Sequence, residues 1–279
     1  MHQPNPKLIL SRKGFDSTNG GIPSPIVAGI PISLPIPQAD TGIGYDEISF
    51  PTLPNMAMAL RQLKAKHKAP TAHLDPDVFK DSIPNRHPDW KPIFGQHGAA
   101  WSHLLKEGVG VGDLFLFFGW FRDAEWEEGR LRFVPDAPDV HVLYGYLEVG
   151  EMWDLDQSGA PVWAAYHPHI RFREAYRGGN GLFVGAESSS FWEGKSGAGL
   201  WEYDPRRQLT ADGARLRSQW MLPACFFDGV HCKLSYHRKR EGIPNPQLPG
   251  YRRMTAVARG QEFVVEMNPE IRDWVCSLA

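Results

Sequence analysis

Two apolar runs limit what this chain can build: LFLFFGWF at residues 114–121 and VHVLYGYLEVG at 140–150. Both are dense in β-branched and aromatic side chains, which favour a packed strand. They read as neighbouring core strands, with the polar DAEWEEGRLRFVPDAPD (123–139) as the connecting loop. Around them lie 24 prolines and 28 glycines in 279 residues. Both residue types end helices and punctuate strands, so the remaining elements are expected to be many and short.

KLILS (7–11) reads as a first strand, and SPIVAG (24–29) and IPISLPIP (30–37) as extended, paired segments. Further strands are expected at GLFVGAES (181–188), GLWEYD (199–204), CKLSYH (232–237) and QEFVVEM (261–267). Helical spacing places Met56, Leu60 and Leu63 on one face of 53–67, and a second helix from near Gly98 to Gly108. EIRDWVCSLA (270–279) closes the chain as a short helix. Between the first two helices, residues 69–94 hold five prolines and read as a long ordered loop, of the length that tends to carry function. The expectation is one strand-rich α+β domain over 1–279, with few short helices, long loops and a core at 98–151.

Composition excludes several classes. At 42% hydrophobic and 22% charged, the chain is globular rather than disordered. A net charge of −2 gives no global basic field, so any nucleic-acid contact has to be local. No apolar run approaches the ~20 residues that cross a bilayer, and MHQPNPKLIL lacks a signal-peptide shape. Cys225, Cys232 and Cys276 show no CxxC spacing, which suits a reducing cytoplasm. The ten tryptophans fit either aromatic-lined surfaces or a bulky core.

No Walker A loop, HExxH, GxSxG or paired CxxC is present, and GVGVGD lacks the spacing of a dinucleotide fingerprint. Four polar clusters remain. In LSRKGFDSTNGG (10–21), Arg12 and Lys13 are placed to pair a phosphate, with Gly20 and Gly21 freeing backbone amides; an Asp16-capped turn with Asn19 explains the same residues. In HLDPD, His73 and Asp75 are two apart, so on an extended segment they point the same way, as a base and its orienter or as a metal-ligand pair. In GQHGAAWSHL, Gln96 and His97 stand at a helix entrance, and Gln96 has the paired donor and acceptor that read a base edge. His103 reads as a packing residue. At the C-terminal end, His237 precedes the basic Arg238, Lys239 and Arg240, and Glu262 begins a strand. HPH at 167–169 reads as a loop for want of a third ligand at set spacing, and Cys225 as inert core.

Several strings taken in order resemble one family: LSRKGFDSTNGGIPSPI, HLDPD, GQHGAAWSHLLKEGVGVGDLFLFFGWFR, HVLYGYLEVGE, HPH, WMLPACFF, LSYH and RGQEFV. They resemble the third of the nucleotide modification associated domain families, from about Lys7 to Val264. The central VGVGDLFLFF…YGYLEVGE also resembles PUA-like barrels of the EVE and ASCH type, which implies a mixed β-barrel. The family resemblance implies work on a modified nucleotide within bacterial or phage DNA-modification or restriction-modification systems. It implies a nucleotide or nucleic-acid partner, further proteins of such a system and no membrane. It fixes neither a cofactor nor a metal. On that basis the expected enzyme performs group transfer or hydrolysis on a base or nucleotide. Asp16, His73, Asp75, His237 and Glu262 are its catalytic candidates, with Arg12, Lys13, Asn19, Gln96 and Trp101 holding substrate. The alternatives are a non-catalytic reader of a modified base and a modification-linked nuclease.

Overall fold

The computed structural model describes residues 5–66, 69–228, 234–237, 242–257 and 262–279. Its first strands are β1 (Lys7–Arg12), β2 (Ser24–Val27), β3 (Ile30–Pro31) and β4 (Ile93–His97). The two long apolar runs become β5 (Leu114–Glu127) and β7 (Val140–Asp154), separated by β6 (Arg130–Phe133). Then come β8 (Asn180–Gly185), β9 (Ala198–Leu200), β10 (Gln219–Pro223), β11 (Ile243–Pro244), β12 (Tyr251–Thr255) and β13 (Glu262–Glu266). The α-helices are α1 (Met56–Gln62), α2 (Gly98–Lys106), α3 (Pro168–Arg171) and α4 (Pro269–Cys276).

The main sheet runs β13-β1-β5-β7-β8-β4. β1 is its hinge: antiparallel to β13 on one side and parallel to β5 on the other. A strand paired on both edges and covered on both faces must be apolar at every position, and Leu8, Ile9 and Leu10 are all fully buried. Alternation sends Leu8, Leu10, Phe118 and Phe263 to one face, where Trp220, Ile271 and Val275 of the C-terminal part pack. Ile9, Phe115, Phe117 and Val264 go to the other, against Phe94, Trp101 and Phe183.

Local chemistry sets the helices. The Asn55 side chain accepts the Met58 N–H at 2.8 Å to start α1, and Asn268 caps α4 through Ile271. The expected extended pair at 24–37 forms as β2 against β3.

Three expectations are corrected. The 123–139 segment is not a plain loop, because β5 continues through it to Glu127 and turns back as β6. No strand forms in the described part of CKLSYH, residues 234–237. The PUA-like barrel is not found: among the described residues no backbone ladder closes the sheet, and β13 and β4 stand at its two ends. Those ends meet through side chains instead, where Gln96 of β4 donates to Glu262 of β13 at 2.6 Å. Among the described residues no helix is long and apolar enough to cross a membrane.

Candidate metal centre

Three consecutive residues of β4, Gly95, Gln96 and His97, tie the long 69–94 segment to the ends of the sheet. The Gly95 N–H donates to Asp75 Oδ1 at 2.7 Å. Gln96 reaches Glu262, and His97 stands exposed at the edge, stacked on Tyr176 with ring centroids 4.2 Å apart.

Asp75, with its side chain only 4% exposed, is ringed by imidazoles. His73 Nε2 lies 3.8 Å and His169 Nε2 4.0 Å from Asp75 Oδ2, while His167 Nε2 lies 3.3 Å from Oδ1. The ligand atoms of His73, Asp75 and His169 all fall within 4.8 Å of one another. Ligands held at about 2.0–2.2 Å around a four-coordinate ion sit roughly 3.3–3.5 Å apart, so a small inward movement of the three side chains would seat one.

The hydrogen bonds around the ring decide which nitrogens are free to ligate. Asn180 Nδ2 donates to the His169 carbonyl at 2.8 Å, which fixes its amide and turns Oδ1 to His169 Nδ1 at 2.7 Å. The His169 proton is therefore on Nδ1, and Nε2 faces Asp75 as a lone pair. His73 repeats the arrangement, with Nδ1 donating to Gln38 Oε1. His167 is the reverse: its Nδ1 accepts the His169 N–H at 3.4 Å, so its proton is on Nε2, toward Asp75. Two imidazoles thus present lone pairs to the carboxylate, while the third brings its Nε2–H to 3.3 Å from Asp75 Oδ1 without hydrogen-bond geometry, leaving that nitrogen buried and without a hydrogen-bond partner among the described residues.

Asp75 is held ionised against its burial: an imidazole proton turned to it from His167, and from His73 or His169 whenever either is charged, keeps the carboxyl well below the usual range. Burial drives the His169 imidazole well below its ordinary value, keeping it neutral. His97, at the end of β4, is also lowered, by partial burial first and then by the neighbouring His73 and Lys13. Two lone-pair nitrogens and an ionised carboxylate oxygen form a donor set that suits Zn²⁺ or Fe²⁺.

Beside this ring lies a second buried group. Lys13 Nζ donates to Glu262 Oε1 at 3.0 Å and lies 4.2 Å from the centre of the Phe94 ring. Glu262 Oε2 is buried with no partner among the described residues.

The structure gathers some of the sequence candidates and disperses others. His73 and Asp75 meet in the ring, and Lys13, Gln96 and Glu262 form the adjoining cluster. Gln96 spends its Nε2 on Glu262 and its Oε1 on the His97 N–H. Asp16 and Asn19 close their own turn: Asp16 Oδ1 accepts the N–H groups of Thr18 and Asn19 at 2.7 and 2.6 Å. His237 is 3% exposed against Phe263, its Nδ1 donating to the Ser235 carbonyl and its Nε2 accepting the Val257 N–H. Trp101 is buried in the core against Phe183, over Gly179 and Gly181, where an added Cβ would meet the indole. It offers no open face to a base. Arg238, Lys239 and Arg240 lie outside the described residues.

Sequence reasoning set His97 only at a helix entrance and read His169 as part of a loop, and it missed Asn180 and Gln38. The signal was present in HPH, 92 positions beyond HLDPD if counted from Asp75 to His167. Gly95 was a second sign, because a Cβ there would sit 2.3 Å from His169 Cδ2.

The comparisons with known proteins give one family. A family model described as nucleotide modification associated domain 3 matches residues 7–266, and the chain belongs to that family. No curated protein and no solved structure matches it.

Proposed function

We propose that this member of the family is a metal-dependent enzyme that alters a nucleotide or a base in nucleic acid by hydrolysis or group transfer. The observation that carries the reading is the opposed protonation of the ring: His73 and His169 have their Nδ1 protons committed to amide oxygens, leaving both Nε2 atoms bare beside Asp75 Oδ2. Without an ion, buried lone pairs facing a carboxylate repel; with one, the same arrangement is attractive.

An ion held there by His73, Asp75 and His169 would keep a position for water or a substrate oxygen and would lower the pKa of that water toward neutrality. The chain's own residues divide the remaining work. The Gly95 N–H holds Asp75 Oδ1, with His167 Nε2 3.3 Å from the same oxygen, so Oδ2 would stay turned to an ion. Lys13, fixed by Glu262, supplies the positive charge beside the ring and is the phosphate-holding candidate. His97, exposed beside the ring and stacked on Tyr176, is the candidate to take or return a proton. The proposed setting is the modification of bases in bacterial or phage DNA.

The test is untargeted mass spectrometry of digested DNA and RNA from cells carrying the wild-type gene or Asp75→Asn. A nucleoside present with wild type and replaced by its precursor with Asp75→Asn supports the enzyme. Identical nucleosides in both, with a modification present in each, contradict it and favour a reader.

A further inference from the structure

The three ligand candidates come from two stretches of chain: His73 and Asp75 from the segment before β4, and His169 from α3. Gln38 and Asn180 set the rotation of the two imidazoles. Ligand distances tolerate only about 0.2 Å of error, so the spacing between the two stretches has to be held as well. A buried cluster built on Arg86 joins them.

Asp77 follows Asp75 by two residues, and Tyr166 precedes His169 by three. The Arg86 and Asp77 side chains are 5% and 1% exposed. Arg86 takes both oxygens of Asp77, Nη2 donating to Oδ1 at 2.7 Å and Nη1 to Oδ2, and Nη1 also donates to Tyr166 Oη at 2.8 Å. The Tyr166 hydroxyl donates in turn to Asp77 Oδ2, and Trp90 Nε1 donates to Tyr166 Oη at 2.9 Å. Burial and the Asp77 charge push the Tyr166 phenol up, so it keeps the proton it donates. The remaining Arg86 donors reach the Lys80 carbonyl at 3.0 Å and Ser82 Oγ at 2.8 Å. Asp77 also exchanges both backbone hydrogen bonds with Ile93 of β4, at 2.8 and 2.9 Å, two residues before the Gly95 N–H that holds Asp75.

A buried ion pair is an expensive way to add stability, because apolar residues of similar volume do as well or better. What the guanidinium adds is direction: its planar fork fixes a carboxylate in one arrangement through paired bonds. Here both groups it fixes lie within three residues of a ligand. We propose that Arg86 is a positioning residue of the metal ring. Through Asp77 and Tyr166 it holds the HLDPD segment and the start of α3 at the spacing that lets His73, Asp75 and His169 share one ion. The inference rests on the metal reading of the ring and extends it to a residue outside the ligand set.

Tyr166→Phe isolates this role, because it cuts the hydroxyl bridge to α3 and leaves the Arg86–Asp77 fork in place. Trp90 Nε1 keeps Asp77 Oδ2 at 3.3 Å and Arg86 Nη1 keeps the same oxygen, so each donor retains a partner and the chain should fold. Tyr203→Phe, which loses a hydroxyl bond to Gln208 at 2.9 Å outside the ring, is the control for stability alone. Chelator competition on the full chain reads Zn²⁺ affinity, visible absorption of the Co²⁺-loaded chain reads ligand geometry, and urea melts of the metal-free chain read stability. Tyr166→Phe is expected to bind Zn²⁺ at least about tenfold more weakly than wild type and to change the position or intensity of the Co²⁺ bands. Arg86→Lys, which keeps the charge but not the fork, should weaken Zn²⁺ at least as much. Tyr203→Phe should leave affinity and spectrum unchanged. If wild type binds metal, and folded Tyr166→Phe and Arg86→Lys match its affinity and spectrum, the positioning role alone is overturned. Equal weakening in Tyr203→Phe would reduce the effect to stability and also overturn it. Wild type taking up neither Zn²⁺ nor Co²⁺ would sink the metal reading, and this inference with it.

Discussion

Replacing Gln38 by leucine isolates the orientation of His73 from the rest of the metal ring. Gln38 is half-buried, and its backbone N–H bonds the Thr71 carbonyl, a contact the substitution leaves alone. What is removed is the amide oxygen that takes the His73 Nδ1 proton. The stability cost is that of one net hydrogen bond at a half-exposed position, about 0.5–1.5 kcal/mol. The cost to the metal is larger, because an unpinned imidazole rotates and exchanges tautomers. Loss of such an outer partner weakens metal affinity by about 10- to 100-fold, or about 1.4–2.7 kcal/mol. Competition of the protein against a chromophoric chelator for Zn²⁺ reads the affinity, and urea melts of the metal-free chain read the stability. Gln38→Glu keeps an acceptor at the same place and should bind Zn²⁺ within about tenfold of wild type. If Gln38→Leu holds Zn²⁺ as tightly as wild type while His73→Ala does not, the orientation argument is wrong. Equal loss in Gln38→Leu and Gln38→Glu would refute it too, because only one of them lacks the acceptor.

Other outcomes follow from the same geometry. Gly95→Ala puts a Cβ 2.3 Å from a ring that Asn180 holds in place, so it should displace His169 and lower metal affinity by at least about tenfold in a folded protein; unchanged affinity in the chelator assay would show that the ring yields freely. The buried Lys13–Glu262 pair, with side chains 8% and 1% exposed, should cost about 3–5 kcal/mol when Glu262→Ala strands the ammonium. Lys13→Met with Glu262→Gln should cost less than that single change in urea melts, and a loss under about 1 kcal/mol for Glu262→Ala would mean the lysine finds water. His141 titrates near 3 in the fold but near 6.5 when unfolded, so below pH 6.5 the unfolded chain takes up a proton that the native chain refuses. Stability should therefore fall on acidification, by about 2 kcal/mol from this group between pH 6.5 and 5. His141→Gln should flatten that part of the urea-melt pH profile whatever its own cost; an unchanged slope would assign it elsewhere.

Where the signal is local, the sequence is a good guide to this molecule. The caps, the α1 face and the apolar runs at 114–121 and 140–150 specify their elements through neighbours a few residues away. β4 is harder, because its IFGQH stretch has a glycine at the centre and runs straight into α2. The glycine makes sense only once His169 lies across it. The metal ring shows the same division. His73 and Asp75 are legible because they share one extended segment, whereas His169 arrives from α3 and its partner from β8, and no spacing rule joins them. Arg12 and Lys13 look like one basic pair in the chain, yet the alternation of β1 puts them on opposite faces of the sheet. The barrel expectation rested on the strings VGVGDLFLFF and YGYLEVGE, which specify two adjacent strands but carry no information on closure; the ends of the sheet meet through the side chains of Gln96 and Glu262, 166 residues apart.

The most direct test of the account is the metal content of the purified chain, by inductively coupled plasma mass spectrometry after loading and desalting. Wild type is expected to retain about one equivalent of a transition metal, and His73→Ala, Asp75→Asn and His169→Ala, each folded by circular dichroism, to retain little. Retention by all three variants at the wild-type level, or none by wild type after loading, would contradict it.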